Sequence, residues 1–130
     1  MNFFERRKIL KEVNYLDLIP VRMMESETLE SGRVDVLLPR FKHPVLKKTL
    51  QPHWKPEHIR IHLDESGSLI WNSIDGLLSV RELCLFVEDV YPEKFTDPEE
   101  TIKRVTQFLS LLYQERYISF RQIMKEEHAQ

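Results

Sequence analysis

Four of the five histidines, His43, His53, His58 and His62, lie close together in the chain, and His58 with His62 forms an i, i+4 pair. On a helix that spacing puts two imidazoles on one face, where they can hold a metal ion. The run around them, His58-Ile59-Arg60-Ile61-His62-Leu63, alternates polar with apolar and reads as a strand. No HExxH pattern accompanies the pair, and Glu57 and Asp64 do not complete a ligand set, so no metal site is expected. Asp64 and Glu65 are adjacent, and adjacent carboxylates rarely converge on one substrate. Asp64 reads as a helix cap rather than a general acid. Cys84 is the single cysteine, set in the apolar run Leu83-Cys84-Leu85-Phe86-Val87 with no base beside it. It reads as a small buried side chain. One thiol also excludes an intramolecular disulfide and a four-thiolate iron–sulfur cluster. The residues therefore point to no catalytic group and no cofactor.

The bulk properties agree with a binding role. A chain of 130 residues is long enough for one domain with a modest core. Its net charge of −2 lacks the basic excess common in nucleic-acid binders. No apolar run approaches the ~18 residues of a membrane span. The N-terminal "MNFFERRKILKEVNYLDLIP" has neither the apolar core nor the cleavage site of a secretory signal. The protein is read as cytoplasmic.

These residues must be positioned by a small set of elements. Phe3, Arg6, Ile9, Leu10, Val13 and Leu16 recur at helical spacing, so residues 1–19 are read as an N-terminal helical extension ended by Pro20. A first strand is expected from Ile19 to Glu25. A turn at Ser31-Gly32 follows, then a second strand from Arg33 to Leu38 with Val34, Val36 and Leu38 on one face. Residues 42–57 are cut by Pro44, Pro52 and Pro56 and read as a loop. The third strand, His58–Leu63, turns Ile59, Ile61 and Leu63 to one side and His58, Arg60 and His62 to the other. A short helix capped by Asp64 or Ser66 carries Leu69, Ile70, Trp71 and Ile74, with Trp71 packing between helix and sheet. Asp75-Gly76 stops it. Ser79 with Glu82 is a capping box opening a helix that faces the core through Val80, Leu83, Cys84, Val87 and Val90. Asp97 with Glu100 is a second capping box, with Pro98 at the first helical position, and opens a third helix, to about Arg116, with Ile102, Val105, Phe108, Leu109 and Leu112 inward. "YISF" reads as a last short strand, and residues 121–130 as a polar, frayed tail.

The fold class is therefore α+β, a three-stranded antiparallel sheet followed by a three-helix bundle. The last two helices resemble a helix-turn-helix, and the strands would make it winged. A winged-helix DNA-binding or regulatory protein is the alternative reading. The end that would face phosphates is Asp97-Pro98-Glu99-Glu100, whose carboxylates repel a phosphate backbone. Nucleic acid is thus not the expected partner.

Leu63, Gly67, Ile70, Trp71, Ile74, Asp75, Gly76, Val80, Glu82 and Leu83, within "LDESGSLIWNSIDGLLSVREL", resemble the PqqD family, the peptide chaperone of pyrroloquinoline quinone (PQQ) biosynthesis. The resemblance spans residues 20–120, and the extension before Pro20 and the 42–57 loop exceed the family pattern. It implies a winged-helix-like RiPP recognition element, non-enzymatic, that binds a leader or precursor peptide and presents it to a radical-SAM enzyme. Such a peptide adds as a strand to a sheet edge. The expected edge is His58, Ile59, Arg60, Ile61, His62 and Leu63. The expected groove wall is the third helix, with Lys103, Arg104 and Gln107 at its rim and Val105 and Phe108 deeper. Arg60 and Lys103 are expected to meet acidic peptide residues, and His62 to modulate binding as histidines titrate. The same edge, or the N-terminal helix, leaves a homodimer open.

Overall fold

The turn at Ser31-Gly32 forms, because Gly32 supplies the positive φ of +89° that the reversal requires. Around it the backbone closes from Leu29 N–H to Arg33 C=O at 2.8 Å. The computed structural model describes residues 14–39 and 58–129, with side chains as far as Lys125. The expected N-terminal helix and the 42–57 loop lie largely or wholly outside these residues. Of the extension, the described part is a single 3-10 turn, Tyr15–Asp17, capped by Asn14.

Two units divide the chain: Met24–Ser68, and Met1–Met23 with Leu69–Gln130. The first is a three-stranded antiparallel sheet in the order β2-β3-β4, with β2 at Glu25–Thr28, β3 at Val34–Pro39 and β4 at His58–His62. Val34 and Val36 are fully buried, as the alternation predicted. Leu63 donates its N–H to Val34 C=O at 2.9 Å. The buried Ser68 hydroxyl takes the Val34 N–H at 2.8 Å, closing the end of the ladder.

The expected strand from Ile19 to Glu25 is two strands with different partners. β1, Pro20–Arg22, pairs antiparallel with β5, Ile118–Phe120, in the helical unit. β2 begins only at Glu25 and pairs with β3. No glycine or proline marks the change of partner at Met23-Met24, so nothing local announced it.

The helical unit holds most of the buried apolar side chains. Helix α1, Glu65–Ser73, spans the boundary between the units, which falls after Ser68. Helices α2, Val80–Val90, and α3, Pro98–Gln114, follow, and α4, Arg121–Ala129, comes after β5. A three-helix bundle following the sheet is therefore not what forms: β5 separates a fourth helix from the other three. The reading of residues 121–130 as a frayed tail is corrected with it. Gln, Met, Lys, Glu and Ala are good helix formers, and Ile123 is buried to anchor the turn. Gln122 fixes the helix start by accepting from Ile19 N–H and donating to Asp17 C=O.

Fully buried Leu18, Trp71, Val80, Leu83, Val87, Val105, Leu109 and Phe120 fill this unit. Two inward faces differ from expectation. Ile102 and Val90 are exposed, and Phe108 is half-buried. The seam of α3 runs through Thr101, Val105, Leu109 and Leu112, one residue out of phase with Ile102. Thr101 can sit inside because its hydroxyl donates to Asp97 C=O at 3.0 Å, leaving no polar atom unpaired.

Candidate functional site

The phase of the β3–β4 ladder decides which backbone groups of β4 face outward. Register pairs Asp35 with His62, Val36 with Ile61 and Leu37 with Arg60. The Leu63-to-Val34 bond marks that pair as hydrogen-bonded. Pairs alternate along an antiparallel ladder, so Ile61 and Ile59 also turn their N–H and C=O toward β3. The backbone groups of His58, Arg60 and His62 then point away from it. Among the described residues β4 has one strand neighbour, β3, and those outward groups form an edge.

The side chains sort by the same alternation. Ile59 and Ile61 share a face with Val36 and are only partly covered, Ile59 being 43% exposed. Leu63 is buried and lies just past the strand, so its side chain is not offered at the edge. The other face carries a charge network. Asp35, whose side chain is 4% exposed, accepts from Arg60 Nη1 at 3.0 Å and pairs with His62 Nδ1 at 2.5 Å. Arg60 Nη2 reaches on to Glu27 Oε2 at 2.8 Å. Asp35 and His62 form a non-hydrogen-bonded pair, the closer of the two antiparallel spacings, which lets so short a contact form.

The charges respond accordingly. The His62 hydrogen bond, aided by Arg60, holds the Asp35 carboxyl below the usual carboxylate value, against the opposing effect of desolvation. Glu27 first, and Asp35 second, push the Arg60 guanidinium higher still. The expectation that Arg60 meets acidic peptide residues therefore encounters an arginine already held by two carboxylates. Sequence reading passed over Asp35 and Glu27. The available signal was a lone acid at the centre of Val34-Asp35-Val36, whose neighbours are both core residues.

The helix residues sit in the other unit. Arg104 Nη1 donates to Lys94 C=O at 2.9 Å, and its guanidinium lies 5.2 Å from the Phe95 ring centroid, which ties it to the α2–α3 loop. Lys103 is exposed. Gln107 lines an open groove of about 650 Å³ beside Tyr15, Leu16, Thr106 and Leu111. Tyr15 is tied to Ser110 there at 3.1 Å, and burial raises its phenol above the ordinary value.

His58 and His62 do share a strand face, but four residues of strand separate their Cα atoms by about 13 Å. Arg60 stands between them, so they cannot hold one ion together. Among the described residues no group of three or more His, Cys, Asp or Glu is placed to bind a metal. His43 and His53 lie outside the described residues. Burial pushes the Cys84 thiol up to about 11, which keeps it protonated and unreactive near neutral pH. No described helix is long and apolar enough to cross a membrane.

The motif that drew attention in the sequence is folding machinery. Ile70, Trp71, Ile74, Val80 and Leu83 are core side chains. The Arg22 guanidinium lies 5.9 Å from the Trp71 ring centroid. Asp75 Oδ1 takes the N–H groups of Leu77 and Leu78, which hold its carboxyl below the usual value. Gly76 adopts φ +78°, and Glu82 completes the capping box with Ser79. Residues 55–118 match the family model described as Coenzyme PQQ synthesis protein D (PqqD). Over these residues the chain is similar to the PqqD family. No curated protein and no solved structure matches the chain significantly. The PqqD match takes in β4, α1, α2 and α3 and ends at the start of β5, so the charged face of β4 falls inside it while β2 and β3 fall outside.

Proposed function

We propose that this PqqD-like chain is a non-enzymatic peptide-binding protein. It takes up an extended leader or precursor peptide as an added strand along β4 and presents it to a modifying radical-SAM enzyme, in PQQ biosynthesis or a related peptide pathway. A winged-helix-like reading of the fold goes with that proposal. The observation that supports it is the edge: β4 offers the backbone groups of His58, Arg60 and His62 on the side that has no strand partner among the described residues. Main-chain bonds would give affinity, and the alternating side chains would give selectivity. Lys103, Arg104 and Gln107 enter the same proposal on the family resemblance alone.

The test is amide hydrogen exchange, residue by residue, with and without a peptide selected from a displayed library of short random sequences. Strand addition predicts new protection at His58, Arg60 and His62 and little change at Ile59 and Ile61, already bonded to β3. Uniform protection, or protection confined to the helical unit, overturns the proposed edge. If β4 instead pairs with a second copy, the same alternate protection appears without peptide and grows with protein concentration.

A further inference from the structure

The charged face of β4 has a directional feature that strand addition alone does not explain. His62 contacts Asp35 through Nδ1, so Asp35 occupies the β3 side of the imidazole. The two ring nitrogens diverge, which turns Nε2 away from Asp35 and leaves it for a group other than β3. The side chain is 73% exposed, so that nitrogen is reachable. Arg60 offers no equivalent, because its guanidinium is drawn back over the sheet to Asp35 and Glu27. The titratable and charged groups on this face are Glu25 and Glu27 on β2, Asp35 on β3 with Arg33 just before it, whose Nε donates to Leu63 C=O, and His58 and Arg60 beside His62 on β4. With neutral imidazoles the three carboxylates outnumber the two guanidiniums, Arg33 and Arg60, and the face disfavours another anion. Each imidazole that gains a proton reduces that excess.

Resting on the strand-addition reading above, we propose that His62 reads a carboxylate side chain on the incoming peptide, at the position opposite it, and that this recognition takes up one proton. The imidazolium would stand between two carboxylates, Asp35 at Nδ1 and the peptide's Asp or Glu at Nε2. Both ring nitrogens donate only in the charged form. The neutral form, donating Nδ1–H to Asp35, leaves at Nε2 a lone pair that repels a carboxylate. The partly covered Ile59 and Ile61 face the opposite way, so the matching peptide alternates acidic with apolar residues. Histidine is the side chain that changes charge between about pH 5 and 8, where Asp and Glu stay ionised.

The experiment selects peptides from the displayed library at about pH 6 and titrates the best binder, and its counterpart with Glu or Asp changed to Gln or Asn, at about pH 6 and about pH 8. The acidic peptide is expected to bind several-fold more weakly at the higher pH, up to about tenfold per unit for one-proton linkage. The amide peptide should show little pH dependence. His62→Gln should abolish the dependence, and His58→Gln should leave it in place. Circular dichroism of both variants checks that they stay folded. An acidic peptide whose affinity ignores pH, or a dependence that survives His62→Gln, overturns the His62 assignment. If selected peptides still give alternate protection on β4, strand addition stands without it. If no peptide is enriched, both readings fall.

Discussion

Replacing Gly76 by alanine tests whether the Asp75-Gly76 stop is held by backbone geometry, by the side chain above it, or by both. Gly76 sits at φ +78°, where a Cβ costs about 1–2 kcal/mol. Alanine also narrows the unfolded ensemble, which returns about 0.4–1 kcal/mol. Backbone strain alone therefore leaves about 0.5–1 kcal/mol of destabilisation. Position 76 has a further constraint: an added Cβ would lie 3.2 Å from Arg121 Nη2. The same guanidinium donates its Nε–H to the Gly76 carbonyl. Moving it loosens a charge-assisted hydrogen bond worth about 1 kcal/mol in a partly exposed setting. The total expected for Gly76→Ala is thus about 1.5–2 kcal/mol. Gly32 supplies the control, since it has a similar φ of +89° and nothing within 4 Å of an added Cβ. Gly32→Ala should show the backbone part alone. Urea denaturation of the full chain reads both through the shift in midpoint at constant m. A cycle with Arg121→Ala isolates the side-chain part, and in that background Gly76→Ala should fall to the Gly32→Ala level. If the Gly76 and Arg121 effects simply add, the steric part of the reasoning is wrong. If Gly76→Ala is neutral, the left-handed backbone does not constrain this position.

Two further outcomes follow from the charges and caps. Asp35 has its folded pKa depressed, chiefly by His62, so its contribution to stability is present above the ordinary carboxylate value. That contribution is lost as pH falls through the lowered one. Carbon-detected titration of the Asp35 carboxyl should give a midpoint below that of a model peptide. Asp35→Asn should remove this part of the acid dependence of unfolding, and an Asp35 midpoint at or above the ordinary value would refute the network. Ser79→Ala deletes the acceptor for Glu82 N–H at the start of α2. It should lower stability by about 1 kcal/mol in urea denaturation, whereas an unchanged midpoint would mean the capping box contributes nothing.

Much of the local structure was legible in the residues. Ser31-Gly32, Asp75-Gly76, the Ser79/Glu82 capping box and Asp97-Pro98 each specify a backbone event within a few residues of themselves, and each forms, although Asp97 caps through Glu99 N–H and not as a box with Glu100. The family pattern could be read for a related reason. Its members are core positions and caps, whose spacing follows the helix period, and so they mark the fold rather than the ligand. The strand character of His58–His62 was legible in its alternation, while its role as a peptide-binding edge was expected from the family resemblance and strand phase; among the described residues the strand has one neighbour, β3.

What the sequence by itself determined, then, was the type of most elements, with the C-terminal helix the exception, their caps and most of their buried faces, because hydrophobic period and turn chemistry act over a few residues. Only the tertiary structure decided the pairing of Pro20–Arg22 with Ile118–Phe120, two strands almost a chain length apart with no local signal joining them. It also decided the one-residue phase of α3 that puts Thr101 inside and Ile102 outside. The register of β3 on β4 brought Asp35 under His62 and Arg60 and selected which backbone groups face outward. Register and partner choice are set by contacts between distant segments, and a strand's own residues carry no record of which residue will lie across from them.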